Sequence, residues 1–130
     1  MAFELFVTGG LMRGLSLHAN MEGAEFLEES ATAPRYRLYS IDDLHPGMFE
    51  VEDGGVSVAG ELYLVPDEVW WDIEIGEPPD LYRGRVELAD GRDIFGILYP
   101  QDLAEHRHRD ISAFGGWRAY LAAQSPDSGS

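Results

Sequence analysis

Apolar residues fall along this chain in short runs broken by glycine, proline and acidic turns, a pattern that predicts about six strands and two helices. Phe3 to Val7 is a first apolar strand, and Met12 to Asn20 reads as a loop carrying Arg13 and His18. Ala24 to Leu27 is a weaker apolar patch, a strand edge or a turn of helix. Arg35-Tyr36-Arg37-Leu38-Tyr39 alternates polar and aromatic residues as a half-buried strand does. His45-Pro46-Gly47 is a turn signal before Met48 to Val51. Asp53-Gly54-Gly55 then separates two β-prone runs, so Phe49 to Val51 and Val56 to Val65 are expected to form a hairpin. In it Val56, Val58, Gly60, Leu62 and Leu64 share one face, with Ser57, Ala59, Glu61 and Tyr63 on the other.

Pro66-Asp67-Glu68 places a proline and two acids where a helix begins, and Val69, Trp70 and Ile73 give that helix an apolar stripe. Gly76 and Pro78-Pro79 stop it. A second hairpin is expected from Tyr82 to Leu88 and Asp93 to Tyr99, turning at Ala89-Asp90-Gly91-Arg92. Ile111, Phe114, Trp117, Arg118 and Leu121 recur at three-to-four spacing and predict a helix over 111–124, capped by Asp110. Gly115-Gly116 weakens that helix, by about 1 kcal/mol per glycine, and points to close packing or an opened start. The paired Trp70-Trp71, Phe114 and Trp117 are read as core residues. The sum is an α+β domain over 1–124, a small mostly antiparallel sheet or barrel with two helices, followed by a disordered tail over 125–130.

Composition narrows the chemistry. The 130 residues suit one domain with a core of its own. Cysteine is absent, which removes disulfides, thiolate nucleophiles and Cys-ligated zinc. There is no lysine either, so Schiff-base chemistry and the lysine of phosphate loops are excluded. A formal charge of −15 repels nucleic acid and anionic membranes, and Arg107-His108-Arg109 is too short a basic cluster to reverse that. The first apolar strand is too short for a membrane span, and the expected location is the cytoplasm. His106 and His108, near Glu105 and Asp110, are the only histidines close in sequence; no metal is assigned to them.

Leu5-Phe6-Val7-Thr8-Gly9-Gly10-Leu11 runs an apolar strand into two glycines, a bend able to aim backbone N–H groups at an anion. This segment resembles the opening strand and loop of the gamma-glutamylcyclotransferase-like superfamily, with Thr8 in place of a tyrosine and Gly10 in place of a Ser or Thr. Asp72 to Gly84 resembles a later part of the same superfamily, where a glutamate at the end of a helix is the general acid/base. Glu77 is its best counterpart, because Tyr82 and Arg83 follow at nearly the family distance; Glu74 competes. The run from Leu81 to Arg92, with Gly96-Ile97-Leu98, is more specifically similar to the C-terminal domain of allophanate hydrolases and its stand-alone relatives.

The resemblance implies a cofactor-free enzyme for a small carboxylate-bearing amide or carbamoyl compound. Glu77 would be catalytic, and Val7, Thr8, Gly9, Gly10, Leu11, Arg13 and Tyr82 would bind substrate, with Glu74 and His18 in reserve. Two reactions are open: cyclotransfer on a gamma-glutamyl amine, and hydrolysis or decarboxylation of an N-carboxy urea derivative. A third reading is a catalytically silent binding or assembly module, favoured if the apolar face of Ile111 to Leu121 is a partner surface. Oligomeric state is left open.

Overall fold

In the computed structural model, which describes residues 1–124, the chain forms eight strands, three α-helices and two single 3₁₀ turns. The predicted tail over 125–130 lies outside the described residues. Five strands make one mixed sheet in the order β2 (Glu25–Ala31), β5 (Ala59–Pro66), β1 (Ala2–Val7), β7 (Asp93–Leu98), β6 (Tyr82–Glu87). All its pairings are antiparallel except β1 with β7. A second sheet orders β4 (His45–Glu50), β3 (Tyr36–Ile41) and β8 (Arg109–Asp110). The Tyr99 N–H, donating to the Met48 carbonyl at 2.9 Å, ties the end of β7 to β4. The result is an open pair of sheets and not a barrel.

The apolar run of β1 predicts its place. Leu5, Phe6 and Val7 are buried on both faces, as a strand in the middle of a covered sheet must be. Around them gather Leu62, Val65, Ile73, Val86, Leu88, Ile111, Trp117 and Tyr120. Tyr82 to Glu87 pairs with Asp93 to Leu98 as the Asp-Gly turn predicts. The helix expected after Pro66 is α1 (Asp67–Gly76), with Val69, Trp70 and Ile73 buried. No helix among the described residues is long and apolar enough to cross a membrane.

Four expectations change. Phe49–Val51 does not form a hairpin with the run from Val56: β4 pairs with β3, and β5 lies between β1 and β2. Its face with Glu61 and Tyr63 is therefore buried too, because the loop after β1 and the last helix cover it. The helix expected over 111–124 is broken. Asp110 Oδ1 accepts the Ser112 N–H at 2.9 Å without being the cap residue, since Ile111 holds that position ahead of a 3₁₀ turn at Ser112–Phe114; Gly115 takes a left-handed φ of 76°, and α3 runs only Trp117–Gln124. A helix α2 (Gln101–Arg107) follows Pro100, a proline start that the sequence offers beside Asp102. Trp71 is 66% exposed and no part of the core, whereas Trp117 and Tyr120 of α3 face inward. With that face buried, the ground for a partner surface on α3 is gone.

Candidate active site

Four pieces of chain converge on one small cavity. The end of β1 supplies Val7, Thr8, Gly9, Gly10 and Leu11; β4 supplies His45, Pro46 and Met48; Glu77 and Leu81 come from the segment after α1. Leu17 and Ile97 complete the wall. The free volume is about 40 Å³, room for roughly three waters or a small carboxylate group.

Each wall has a local cause. Val7 is the last residue of β1, and Thr8 is anchored by its hydroxyl, which donates to the Ala59 carbonyl at 2.7 Å. The Gly9 carbonyl then accepts from Met12 N–H at 3.0 Å and the Gly10 carbonyl from Leu17 N–H at 2.9 Å. Those bonds occupy the carbonyls of the bend. The N–H groups of Gly9, Gly10 and Leu11 donate to no acceptor among the described residues, which leaves three backbone donors for a ligand oxygen. Glu77 is thrown inward because α1 stops at Gly76 and the chain turns extended, at φ −74° and ψ 145°, into Pro78-Pro79. The surroundings of the Glu77 carboxyl are apolar. Burial alone pushes its pKa up to about 7.

Glycine at position 9 serves close approach. A Cβ there would meet Pro46 Cδ at 2.9 Å and Cγ at 3.0 Å, while the left-handed residue of this loop is Gly14 at φ 80°. A Cβ on Gly10 would meet nothing nearer than the Ser16 hydroxyl, at 3.3 Å, and the flexible Leu17 side chain, at 3.4 Å. Gly9→Ala is therefore expected to cost about 1–3 kcal/mol by wedging the loop from β4, and Gly10→Ala well under 1 kcal/mol. Urea unfolding of the two variants checks this; equal losses would contradict the steric argument.

Of the expected site residues, Val7 through Leu11 and Glu77 are brought together, and the others are not. Arg13 turns away from the cavity. Its backbone N–H and Nε bond the two oxygens of Glu61 at 3.0 and 3.1 Å, its Nη2 reaches Glu29 at 3.1 Å, and its guanidinium lies 3.8 Å over the Phe26 ring. Committed to two carboxylates, it is no substrate ligand of this cavity. Tyr82 is 49% exposed and outside the wall. Glu74 is exposed on α1 and does not line the cavity. The His18 Nδ1 lies 2.9 Å from the Leu11 carbonyl, so this ring fastens the loop from outside the cavity.

Two buried polar side chains near the site carry no advance signal in the motifs. Glu61 is 3% exposed and accepts from the Arg13 backbone and guanidinium, from the Tyr63 hydroxyl at 2.9 Å and from Arg118 at 3.2 Å. Burial opposes its charge, yet these four donations outweigh burial and hold its pKa below the usual carboxylate value. The second is His45, buried at the start of β4 inside a turn signal. Among the described residues no three His, Asp or Glu side chains gather into a group able to hold a metal.

The comparisons with known proteins agree with this architecture. The family model of the allophanate hydrolase C-terminal domain matches residues 3–122. A uropathogenic Escherichia coli-specific protein of known crystal structure is 38% identical, with a TM-score of 0.89 over 96% of this chain and 99% of that one. Kluyveromyces lactis allophanate hydrolase is 28% identical with a TM-score of 0.87 over 96% of this chain, which spans only 22% of that enzyme. An AIG2-like protein from Mus musculus, 21% identical over 77% of each chain with a TM-score of 0.60, shares the gamma-glutamylcyclotransferase-like fold. A search of the curated proteins gave no match. With the domain model matched from the first strand into the last helix, the chain belongs to the allophanate hydrolase C-terminal domain family.

Proposed function

We propose that this chain is an enzyme for a small carboxylate-bearing carbamoyl compound, and that it cleaves an N-carboxy urea derivative or a close amide analogue. The observation that carries the reading is one small apolar cavity lined both by Glu77, a carboxyl group poised near neutrality, and by three consecutive residues whose backbone N–H groups have no partner among the described residues. The donors take a carbonyl or carboxylate oxygen of the substrate, and in an apolar, partly buried site they count for more than in solution. Glu77, in its protonated form, gives its proton to the substrate nitrogen as the bond to the carboxyl carbon breaks. The bonding pair goes to nitrogen and the carbon leaves as CO2. Water then returns a proton to Glu77.

Two further facts support the carbamoyl reading over cyclotransfer on a gamma-glutamyl amine. A cavity of about 40 Å³ suits a small head better than a whole glutamyl chain. One relative bears the name of a hydrolase for allophanate, an N-carboxy urea. The test is to follow CO2 release from N-carboxy compounds beside 5-oxoproline release from gamma-glutamyl amines, in the wild type and in Glu77→Gln. The rate of CO2 release is expected to be level below neutrality and to fall as the pH rises through about 7, where Glu77 loses its proton. Release of 5-oxoproline instead would assign the cyclotransfer reaction. Release of neither product, with carboxylate binding retained, would leave a binding module.

A further inference from the structure

Besides Glu77 and Thr8, whose hydroxyl gives its hydrogen to the Ala59 carbonyl, His45 is the cavity residue whose side chain can form a hydrogen bond with a substrate nitrogen, and the proposed reaction has not used it. The ring is buried, and its Nδ1 lies 3.0 Å from the Pro46 carbonyl oxygen. A carbonyl oxygen only accepts, so Nδ1 carries the hydrogen, and in the neutral ring the lone pair sits on Nε2. That atom has no protein partner among the described residues, and no buried side-chain nitrogen or oxygen there is both sealed and unpartnered. Nε2 is therefore open, on a residue that lines the cavity. The tilted Tyr99 ring, 6.0 Å away between centroids, packs on one side of the imidazole.

We infer that His45 reads the substrate nitrogen: Nε2 accepts a hydrogen bond from a substrate N–H, and the cavity thereby selects carbamoyl or urea-type groups that carry a hydrogen on nitrogen. This rests on the reading of the cavity as a carboxylate site and adds to it the identity of the neighbouring atom. The three parts divide the work by chemistry. Backbone donors can hold only an acceptor oxygen, a protonated Glu77 donates, and His45 is the acceptor that a primary amide or urea nitrogen requires. A site that pairs such a hydrogen discriminates sharply against an analogue lacking it, because the analogue leaves a buried acceptor unpaired.

Oxamate and pyruvate test this by binding alone, since they share a carboxylate and a carbonyl and differ by an amide nitrogen against a methyl group. Calorimetric titration of the whole protein is expected to show oxamate binding about tenfold tighter than pyruvate, the worth of one hydrogen bond. His45→Asn keeps a donor for the Pro46 carbonyl and loses the group at Nε2, and it is expected to bring the two ligands within about twofold. His45→Gln places an amide oxygen near the Nε2 position and is expected to restore most of the preference. Turnover, where measured, should show a raised KM for His45→Asn with little change in kcat. An oxamate preference unchanged in His45→Asn would overturn the inference and leave His45 as a support of the turn. If neither ion binds the wild type at millimolar concentration, the carboxylate reading of the cavity falls, and the inference with it.

Discussion

Replacing Glu77 by glutamine is expected to make the protein about 3 kcal/mol more stable at pH 8 while lowering turnover by about 10²- to 10⁴-fold. The carboxyl titrates near its ordinary value of 4.5 in the unfolded chain and near 7 in the cavity, where burial disfavours its charge. The folded protein thus holds this proton more tightly than the unfolded chain does. Any advantage from that is complete below pH 4.5 and is lost as the pH rises through 7, so at pH 8 the native state carries an unpaired carboxylate that folding must desolvate. Glutamine fills the same space without charge at any pH. The gain should shrink to about 1 kcal/mol at pH 5.5, still above the pI of about 4.3 where solubility is lowest. Urea unfolding of both proteins at the two pH values reads it directly. A variant less stable than the wild type at pH 8 would show that Glu77 makes a stabilising ion pair and is no poised acid. Higher stability with lower activity is the signature of a group placed for chemistry at the expense of the fold.

The cavity wall was more legible than its supports. The Gly9-Gly10 bend and the helix stop before Pro78-Pro79 are local signals: the first needs only missing side chains, the second only a ring that cannot continue a helix. Each can be seen in a few residues, and so the bend and Glu77 could be named in advance. The Asp-Gly hairpin of β6 and β7 was legible for the same reason. The run from Val56 to Val65 misled because a neighbouring turn suggested local pairing, while its partners are β1, which precedes it by more than fifty residues, and β2. Nonlocal pairing leaves no mark at the turn. One mark was available in the run itself. Leu62, Leu64 and Val65 beside Val58 make it apolar on both faces, as in a central strand, and a glutamate inside such a run must find buried partners. His45 and Arg13 illustrate the converse limit. A histidine in a turn signal and an arginine after a glycine bend look alike in sequence, yet tertiary packing turned the first into the cavity and the second onto Glu61.

Glu61→Ala is expected to destabilise the protein by about 2–4 kcal/mol at pH 7, the largest loss from any single polar side chain described above. The carboxylate is 3% exposed, whereas Arg13 and Arg118 are 45% and 47% exposed and can rehydrate when it is gone. The loss therefore comes chiefly from the Tyr63 hydroxyl and the Arg13 backbone N–H, which lose a buried acceptor, and from the volume left empty on the central strand. Because folding lowers the Glu61 pKa, its contribution is present at neutral pH and is lost as the pH falls below the usual carboxylate value. The gap between wild type and variant should narrow on acidification, as it does for Glu77→Gln, but here the wild type is the more stable protein. Glu61 also joins three distant segments. Arg13 lies just past the donor bend, Arg118 on α3 donates to the Arg13 carbonyl as well as to Glu61, and Glu61 itself lies on β5 beside β1. Removing it frees the far end of the loop whose near end forms the cavity wall, so KM should rise severalfold with kcat little changed. Arg118→Gln is expected to reproduce part of the KM effect with a loss below about 1 kcal/mol, since an exposed cation can return to water. A Glu61→Ala protein that unfolds at the wild-type urea concentration would mean that the loop is held without this carboxylate, and that Arg13 is free to serve another role.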